Sequence, residues 1–563
     1  MRIRFLSLLI IVISALLIVR LFSIQIVQGD YYRERADRQN QRPGESLPDR
    51  GNIFFKTKDG QLVGAATMQN GFILALNPTL VKNAAEIYSQ LNVIIPLDRD
   101  SFLAKAAKTT DPYEEILPHL DEVTGKKIAA LNLSGVQLIK TRWRVYPAGT
   151  LAAHVVGFTG YENDQLAGRY GLERYYDQML TREPDKTFIS FLSQAFSEIG
   201  GAVWGQKVTT EADLVLTIEP TVEQTLEAEL TAIQEKYRGK STGGIIMDPQ
   251  TGAIIAMAAL PNFDPGAKKE SLEVLQNPLV ESLFEMGSII KPLMMAAALD
   301  TDTATASTTY SDFTGSVEFN GQTIYNYDKR GRGTVNMQTV LNESLNTGMV
   351  FISGQLGHDR ERNYFLNYGF NDLTKIDLPN EGRNLIKNLY SRRDVEYATA
   401  AFGQGVAFTP IATIRALAAL GNGGKLVTPH VVARFERQNT KLSSEVKPIV
   451  VRQVLRPETS KEITRMLVRV VDEALLKGTV KLDRYQVAAK TGTAQIAKPG
   501  GGYYDDRYFH SFFGYFPAYQ PRFIILLYVA EPQGVNYASE TLAQPFINLT
   551  KFLLHYYNVS PDR

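Results

Sequence analysis

Ser288 and Lys291 stand three residues apart at the head of an apolar run, Pro292-Leu293-Met294-Met295-Ala296-Ala297-Ala298-Leu299. A serine hydroxyl becomes a useful nucleophile only when a neighbouring base takes its proton. Residues i and i+3 of a helix share one face, so the Lys291 amine can reach the Ser288 oxygen. Gly287, just ahead, suits a turn into a helix N-terminus, where free N–H groups and the helix dipole favour a developing negative charge. Ser288 to Lys291 therefore supply a nucleophile, a base and part of an oxyanion site.

Spacing alone does not single them out. Ser444 and Lys447 repeat the pattern in the polar stretch Asn439 to Lys447, with no apolar periodicity behind them, and read as solvated surface. Ser288 differs in its company. Ser344-Leu345-Asn346 and then Lys490-Thr491-Gly492-Thr493 follow it in order. Ser344 offers a second hydroxyl for proton relay, and Asn346 offers an amide to hold a substrate backbone. Lys490 brings a fixed positive charge, Thr491 and Thr493 bring hydroxyls, and Gly492 leaves room for a ligand to approach the backbone. Together they suit a substrate that ends in a carboxylate.

The elements that must position these groups are legible from periodicity. Glu223 to Tyr237 reads as an amphipathic helix. Gly243 to Met257 reads as two apolar strands around the turn Asp248-Pro249-Gln250-Thr251-Gly252. Tyr485 to Gln495 reads as the strand that carries Lys490, and Phe509 to Phe516 with Phe523 to Val529 as a further strand pair. A helical stretch, Pro545 to Tyr557, closes the chain. Strands at both ends with helices between them predict an α/β (α+β) domain, an antiparallel sheet flanked by helices. Upstream, Gly71 to Leu76 reads as a strand, and Leu80 to Leu91 and Val123 to Leu131 as helices. Gly200-Gly201 and Gly205 mark a linker.

The N-terminus has a different character. Phe5 to Val19 is uncharged and almost wholly apolar, and after Arg20 the apolar character continues through Val27. That length spans a bilayer, with Arg20 able to snorkel toward the interface. The run lacks a small-x-small cleavage site, so an uncleaved anchor is expected rather than a signal peptide. The predicted organisation is a tail over 1–4, an anchor over 5–27, a second domain over 28–205, a linker and helix over 206–242, and the catalytic domain over 243–563. The near-balance of 60 Lys+Arg against 59 Asp+Glu gives no global charge to attract nucleic acid. With no cysteine and six scattered histidines, neither a disulfide framework nor a metal cluster is expected, and no cofactor.

The motif set resembles that of the class B penicillin-binding proteins, monofunctional peptidoglycan D,D-transpeptidases. The likeness extends to Asp49-Arg50-Gly51-Asn52-Ile53, Tyr146-Pro147-Ala148-Gly149, Gly171-Leu172-Glu173, the Gly244 to Gly252 hairpin, and Ala401-Phe402-Gly403-Gln404-Gly405 with Thr409-Pro410. Two positions depart from the family pattern. Met286 stands where proline is usual, and Glu219 where aspartate is usual.

The resemblance implies a β-lactamase-like catalytic fold on an elongated pedestal of the dimerisation type, single-pass membrane anchorage, and an extracytoplasmic catalytic domain. It implies that Ser288 is acylated by the D-Ala-D-Ala end of a stem pentapeptide, with Lys291 as base and Ser344 as relay. Lys291 must then be neutral, and a low-dielectric setting and the Lys490 charge would both lower its pKa. Asn346, Lys490, Thr491, Gly492 and Thr493 are expected to bind substrate, and the backbone N–H groups of Ser288 and Thr493 to form the oxyanion hole. β-Lactams would be trapped on Ser288. Asn346 and Ser511-Phe512-Phe513-Gly514 resemble the division-specific (septal) branch, whose partners would be a SEDS-type glycosyltransferase and divisome proteins. An elongation-type transpeptidase, a β-lactam sensor or β-lactamase, and a non-catalytic divisome scaffold are the alternatives.

Overall fold

The computed structural model describes residues 49–162, 165–182, 211–267, 271–319, 321–437 and 443–563. The expected anchor and the Gly200 to Gly205 linker lie outside them. Among the described residues no helix is long and apolar enough to cross a membrane.

The larger of two compact units comprises the described residues of Gly51–Thr67, Val145–Thr181 and Gln206–Arg563. Its centre is a five-stranded antiparallel sheet of β1 (Ser241–Met247), β2 (Ile254–Leu260), β3 (Ala488–Ala497), β4 (Tyr503–Phe516) and β5 (Phe523–Ala530), in the order β2-β1-β5-β4-β3. β5 is buried along its whole length because both faces of the sheet are covered. Side chains alternate between the faces of a strand. Ile525, Leu527 and Val529 accordingly join one core with Leu226 and Leu230 of helix α1 (Pro220–Tyr237) and Phe546 and Leu553 of the final helix (Ala543–Tyr556). Ile524, Leu526 and Tyr528 join the other, with Leu293 and Met294 of helix α2 (Lys291–Asp300) and Met349 of helix α3 (Asn346–Asn367). Burying one such aliphatic side chain is worth about 1.5–3 kcal/mol, so each strand is held from two sides.

Glu219 does what the usual aspartate would do. It caps α1, with Oε2 accepting from Val222 N–H at 2.7 Å. The longer side chain also reaches the Tyr556 hydroxyl, which donates to Oε1 at 2.8 Å.

The linear boundary expected near residue 205 does not follow the packing. Ile53–Lys56 pairs in parallel with Asp213–Leu216, and Ala152 N–H donates to Glu227 of α1 at 3.1 Å. Segments upstream of 205 are therefore built into the larger unit. The smaller unit is centred on the later residues of strand Leu62–Leu76, paired with Glu114–Asp121, over Leu74, Leu76, Ile87, Leu91, Phe102 and Ile128. The helix expected over Leu80 to Leu91 begins later, at Ala84–Ile94, because Asn83 Oδ1 accepts from Glu86 N–H and sets the start.

Helix α3 encloses an acid. Glu361 is fully buried, accepts a short hydrogen bond from the Ser353 hydroxyl, and leaves Oε1 without a partner. Burial pushes its carboxyl up to about 8, so the folded protein keeps it protonated at neutral pH. A raised folded pKa contributes stability that is complete below the ordinary glutamate value and is lost as pH rises through about 8. Glu361→Gln, which cannot ionise, is expected to gain about 1–3 kcal/mol relative to wild type between about pH 4 and pH 8. Melting curves across that range check this, and a stability difference that stays flat with pH would refute it.

Candidate active site

Ser288 lies on a single 3-10 turn, Gly287–Ile289, that runs directly into α2, which Lys291 opens. Ile290 keeps right-handed helical angles between them (φ −79°, ψ −25°), so both residues sit on one helical track. The sequence implies a plain α-helix here; the tighter 3-10 turn eclipses i and i+3 even more closely. Gly287 adopts φ +62°, a left-handed angle that disfavours any side chain, and its N–H donates to Gly403 O at 3.2 Å. The Gly403 segment thereby buttresses the turn. Met286 has φ −77°, close to the proline angle, so losing the usual proline leaves the approach to Ser288 unchanged.

Lys291 is completely buried, and its contacts come from far along the chain. Nζ lies 2.6 Å from Ser344 O, 2.8 Å from Asn346 Oδ1 and 3.2 Å from Ser344 Oγ. Ser344 presents its carbonyl this way by taking φ +56° just before α3, a conformation unusual for a residue with a side chain. Burial first, and then the Lys490 charge, hold the Lys291 amine well below the usual lysine range. Both causes are those expected from sequence. A neutral amine has two N–H donors and one lone pair. The carbonyls of Ser344 and Asn346 satisfy the donors, which leaves the lone pair to take a proton from a hydroxyl.

Lys490, on β3, is buried as well, and donates to Thr491 O at 3.2 Å. Burial pushes it down to about 7. The fixed charge expected of it is therefore a titrating one, which a bound carboxylate would hold in the protonated form. Ser288, Ser344, Asn346, Thr491 and Thr493 are half-buried, whereas the two amines are buried.

Two further expectations change. Gly492, assigned to ligand approach, faces the protein instead. A β-carbon there would lie 2.3 Å from Ser511 Oγ and 2.7 Å from Met286 O. Its missing side chain lets the nucleophile turn pack on β3. Asn346, expected to hold substrate, already commits Oδ1 to Lys291 and donates from Nδ2 to Tyr325 O at 2.8 Å, leaving one N–H for a ligand. Its main visible task is to place the base.

Sequence reasoning missed two contacts that hold these parts together. Ser511, opposite Gly492 in the register of β3 and β4, donates to Met286 O at 2.8 Å and pins the turn before Ser288. Glu285 accepts from the Tyr503 hydroxyl at 3.1 Å, and burial raises its carboxyl to about 7. Neither contact has a local signature, since the partners are more than two hundred positions apart. Ser444 shows the opposite case. It sits exposed on the short strand Ser443–Glu445, and Lys447 lies exposed beyond the strand's end, with no helix to bring the two together.

Comparison with known proteins agrees with this geometry. The family model of the penicillin binding protein transpeptidase domain matches residues 242–550, and that of the penicillin-binding protein dimerisation domain matches residues 45–195. The chain is 30% identical over 580 residues to stage V sporulation protein D of Bacillus subtilis, covering 100% of this chain and 86% of that protein. It is 26% identical over 444 residues to peptidoglycan D,D-transpeptidase FtsI of Escherichia coli, covering 77% and 71%. Among solved structures, penicillin binding protein 2X of Streptococcus thermophilus matches with TM-score 0.74 at 19% identity, covering 92% and 81%. Penicillin binding protein 3 of Mycobacterium tuberculosis, complexed with aztreonam, matches with TM-score 0.68 at 22% identity, covering 92% and 98%.

Proposed function

The chain belongs to the penicillin-binding protein transpeptidases, and from that membership and the geometry around Lys291 we propose the following reaction. The enzyme is a peptidoglycan D,D-transpeptidase that works through a serine ester. Lys291 takes the Ser288 proton as Oγ attacks the carbonyl between the last two D-alanines of a stem pentapeptide. The C–N bond breaks, the proton passes through Ser344 to the leaving amine, and D-alanine departs. An amine of a neighbouring stem then attacks the ester, its proton returns to Ser288, and the cross-link forms. Thr491, Thr493 and protonated Lys490 receive the terminal carboxylate, and the N–H groups of Ser288 and Thr493 receive the oxyanion. A β-lactam mimics the D-Ala-D-Ala end and acylates Ser288, in keeping with the complexed relative.

The observation that carries this reading is a buried lysine whose two N–H donors are satisfied and whose lone pair remains for a hydroxyl. Its test is to supply polymerised glycan bearing pentapeptide stems and to follow D-alanine release against cross-linked dimer. Equal yields are expected. D-alanine released without dimer, or a penicilloyl ester that turns over within seconds, would assign the site to a hydrolase instead.

The setting is proposed as septal. Asn346 and the Ser511 to Gly514 segment favour it, and relatives are named peptidoglycan D,D-transpeptidase FtsI and stage V sporulation protein D. The run from Phe5 to Val27 would anchor the chain in the bacterial membrane with the catalytic unit outside. A SEDS-type polymerase and divisome proteins would be its partners. Depletion should then give filaments, and rounded cells would point to elongation.

A further inference from the structure

β4 runs beside the Lys490 strand, and its successive side chains face opposite ways. Ser511 turns to the nucleophile turn through Met286 O. Its neighbour His510 turns to the other side and is completely buried there. His510 Nε2 lies 3.2 Å from Asn536 O, and Nδ1 lies 3.0 Å from Thr541 Oγ1. A carbonyl oxygen only accepts, so Nε2 carries the proton. Burial pushes the ring down to about 4, so it is neutral and Nδ1 is bare. The single proton of the Thr541 hydroxyl is then shared between two acceptors, Nδ1 at 3.0 Å and Ala538 O at 3.2 Å. One imidazole thus ties both ends of the turn from Asn536 to Thr541.

That turn has a task at the site. Ala538 N–H, its central donor, lies 3.1 Å from Thr493 Oγ1 and donates to it. An oxygen that accepts there must aim its own O–H elsewhere, and Thr493 is only half-buried, so that O–H remains available to a ligand. The same turn carries Tyr537, whose ring meets Tyr327 edge-on at 5.9 Å. His510 also stands directly opposite Thr493 in the β3–β4 register.

We propose that His510 is a positioning residue for carboxylate recognition: by clamping the Asn536 to Thr541 turn it keeps Ala538 N–H on Thr493, so that the Thr493 hydroxyl donates to the terminal carboxylate of the substrate. The inference rests on the assignment of Thr493 to that carboxylate.

The test compares acylation of the full-length protein in detergent by benzylpenicillin and by its methyl ester, which lacks the anion. His510→Ala is expected to slow the free acid about tenfold, while the ester changes less than about twofold. His510→Gln, which keeps an N–H and a carbonyl, should recover part of the loss. Ala538→Pro deletes the donor without needing the histidine change, and proline is tolerated at the first position of a helical turn after an extended residue such as Tyr537 (ψ 138°). It should show the same selective loss. In a Thr493→Ala background His510→Ala should cost nothing more. Equal slowing of acid and ester, or a further loss in that background, would overturn the proposal. If Thr493→Ala itself fails to separate acid from ester, the underlying assignment of Thr493 falls instead.

Discussion

Replacing Ser288 by alanine should abolish covalent labelling by a fluorescent penicillin and lower D-alanine release by about 10⁴–10⁶-fold, since the acyl group loses its only attachment point. The loss should come without unfolding. The hydroxyl is half-buried at the end of a 3-10 turn whose hold on the fold comes from Gly287, Met286 and Gly403. The control is Ser444→Ala, which shares the S-x-x-K spacing and should label as wild type. Ser444 and Lys447 are both exposed, and Lys447 lies beyond the short strand that carries Ser444. Labelling that survives Ser288→Ala would move the nucleophile elsewhere in the chain. Normal septation in a Ser288→Ala strain would assign the protein a scaffold role.

Lys291→Met should reduce acylation by about 10³-fold, because serine then has no base within reach. More diagnostic is the acid limb of the wild-type pH profile. Acylation needs neutral Lys291, so the rate falls as pH drops through its lowered pKa. Lys490 contributes to that lowering while it is charged, which is below about pH 7. Lys490→Gln removes a like charge, makes protonated Lys291 less unfavourable, and so raises its pKa. The acid limb should therefore move to higher pH, whatever happens to the absolute rate. Stopped-flow acylation across the pH range reads this directly. A limb that stayed in place or moved down would mean that Lys291 is not the titrating base.

The two amines explain why the fold invests in burying them. A surface lysine is protonated and has no lone pair, whereas at the junction of α2, α3 and β3 desolvation disfavours the charge. The groups that accept the Lys291 N–H bonds do the rest. They leave the nitrogen one free direction, with the Ser344 hydroxyl 3.2 Å away.

Much of this is legible in the sequence, and the reason is locality. The apolar runs that became β4 and β5, the amphipathic α1 and the Asp248 to Gly252 turn depend on neighbours in the chain. Their predicted and observed bounds differ mostly by a few residues at frayed ends. The proposed nucleophile and the order of its three motifs are likewise written in residue types.

What the tertiary structure alone decided involves partners distant in sequence. It set Lys490 as a titrating group by burying it, turned Gly492 toward Met286 and Ser511, and spent the amide of Asn346 on Lys291. It wove Ile53–Lys56 into the larger unit, and it placed His510 and Ser511 back to back on one strand, each holding one side of the site. None of these has a sequence period or a fixed spacing, because each depends on which surfaces the fold brings within hydrogen-bond reach. The sequence by itself thus determined the proposed reagents and their order; the fold determined their protonation, their aim and what keeps them apart from Ser444 and Lys447, whose identical spacing lies exposed to water.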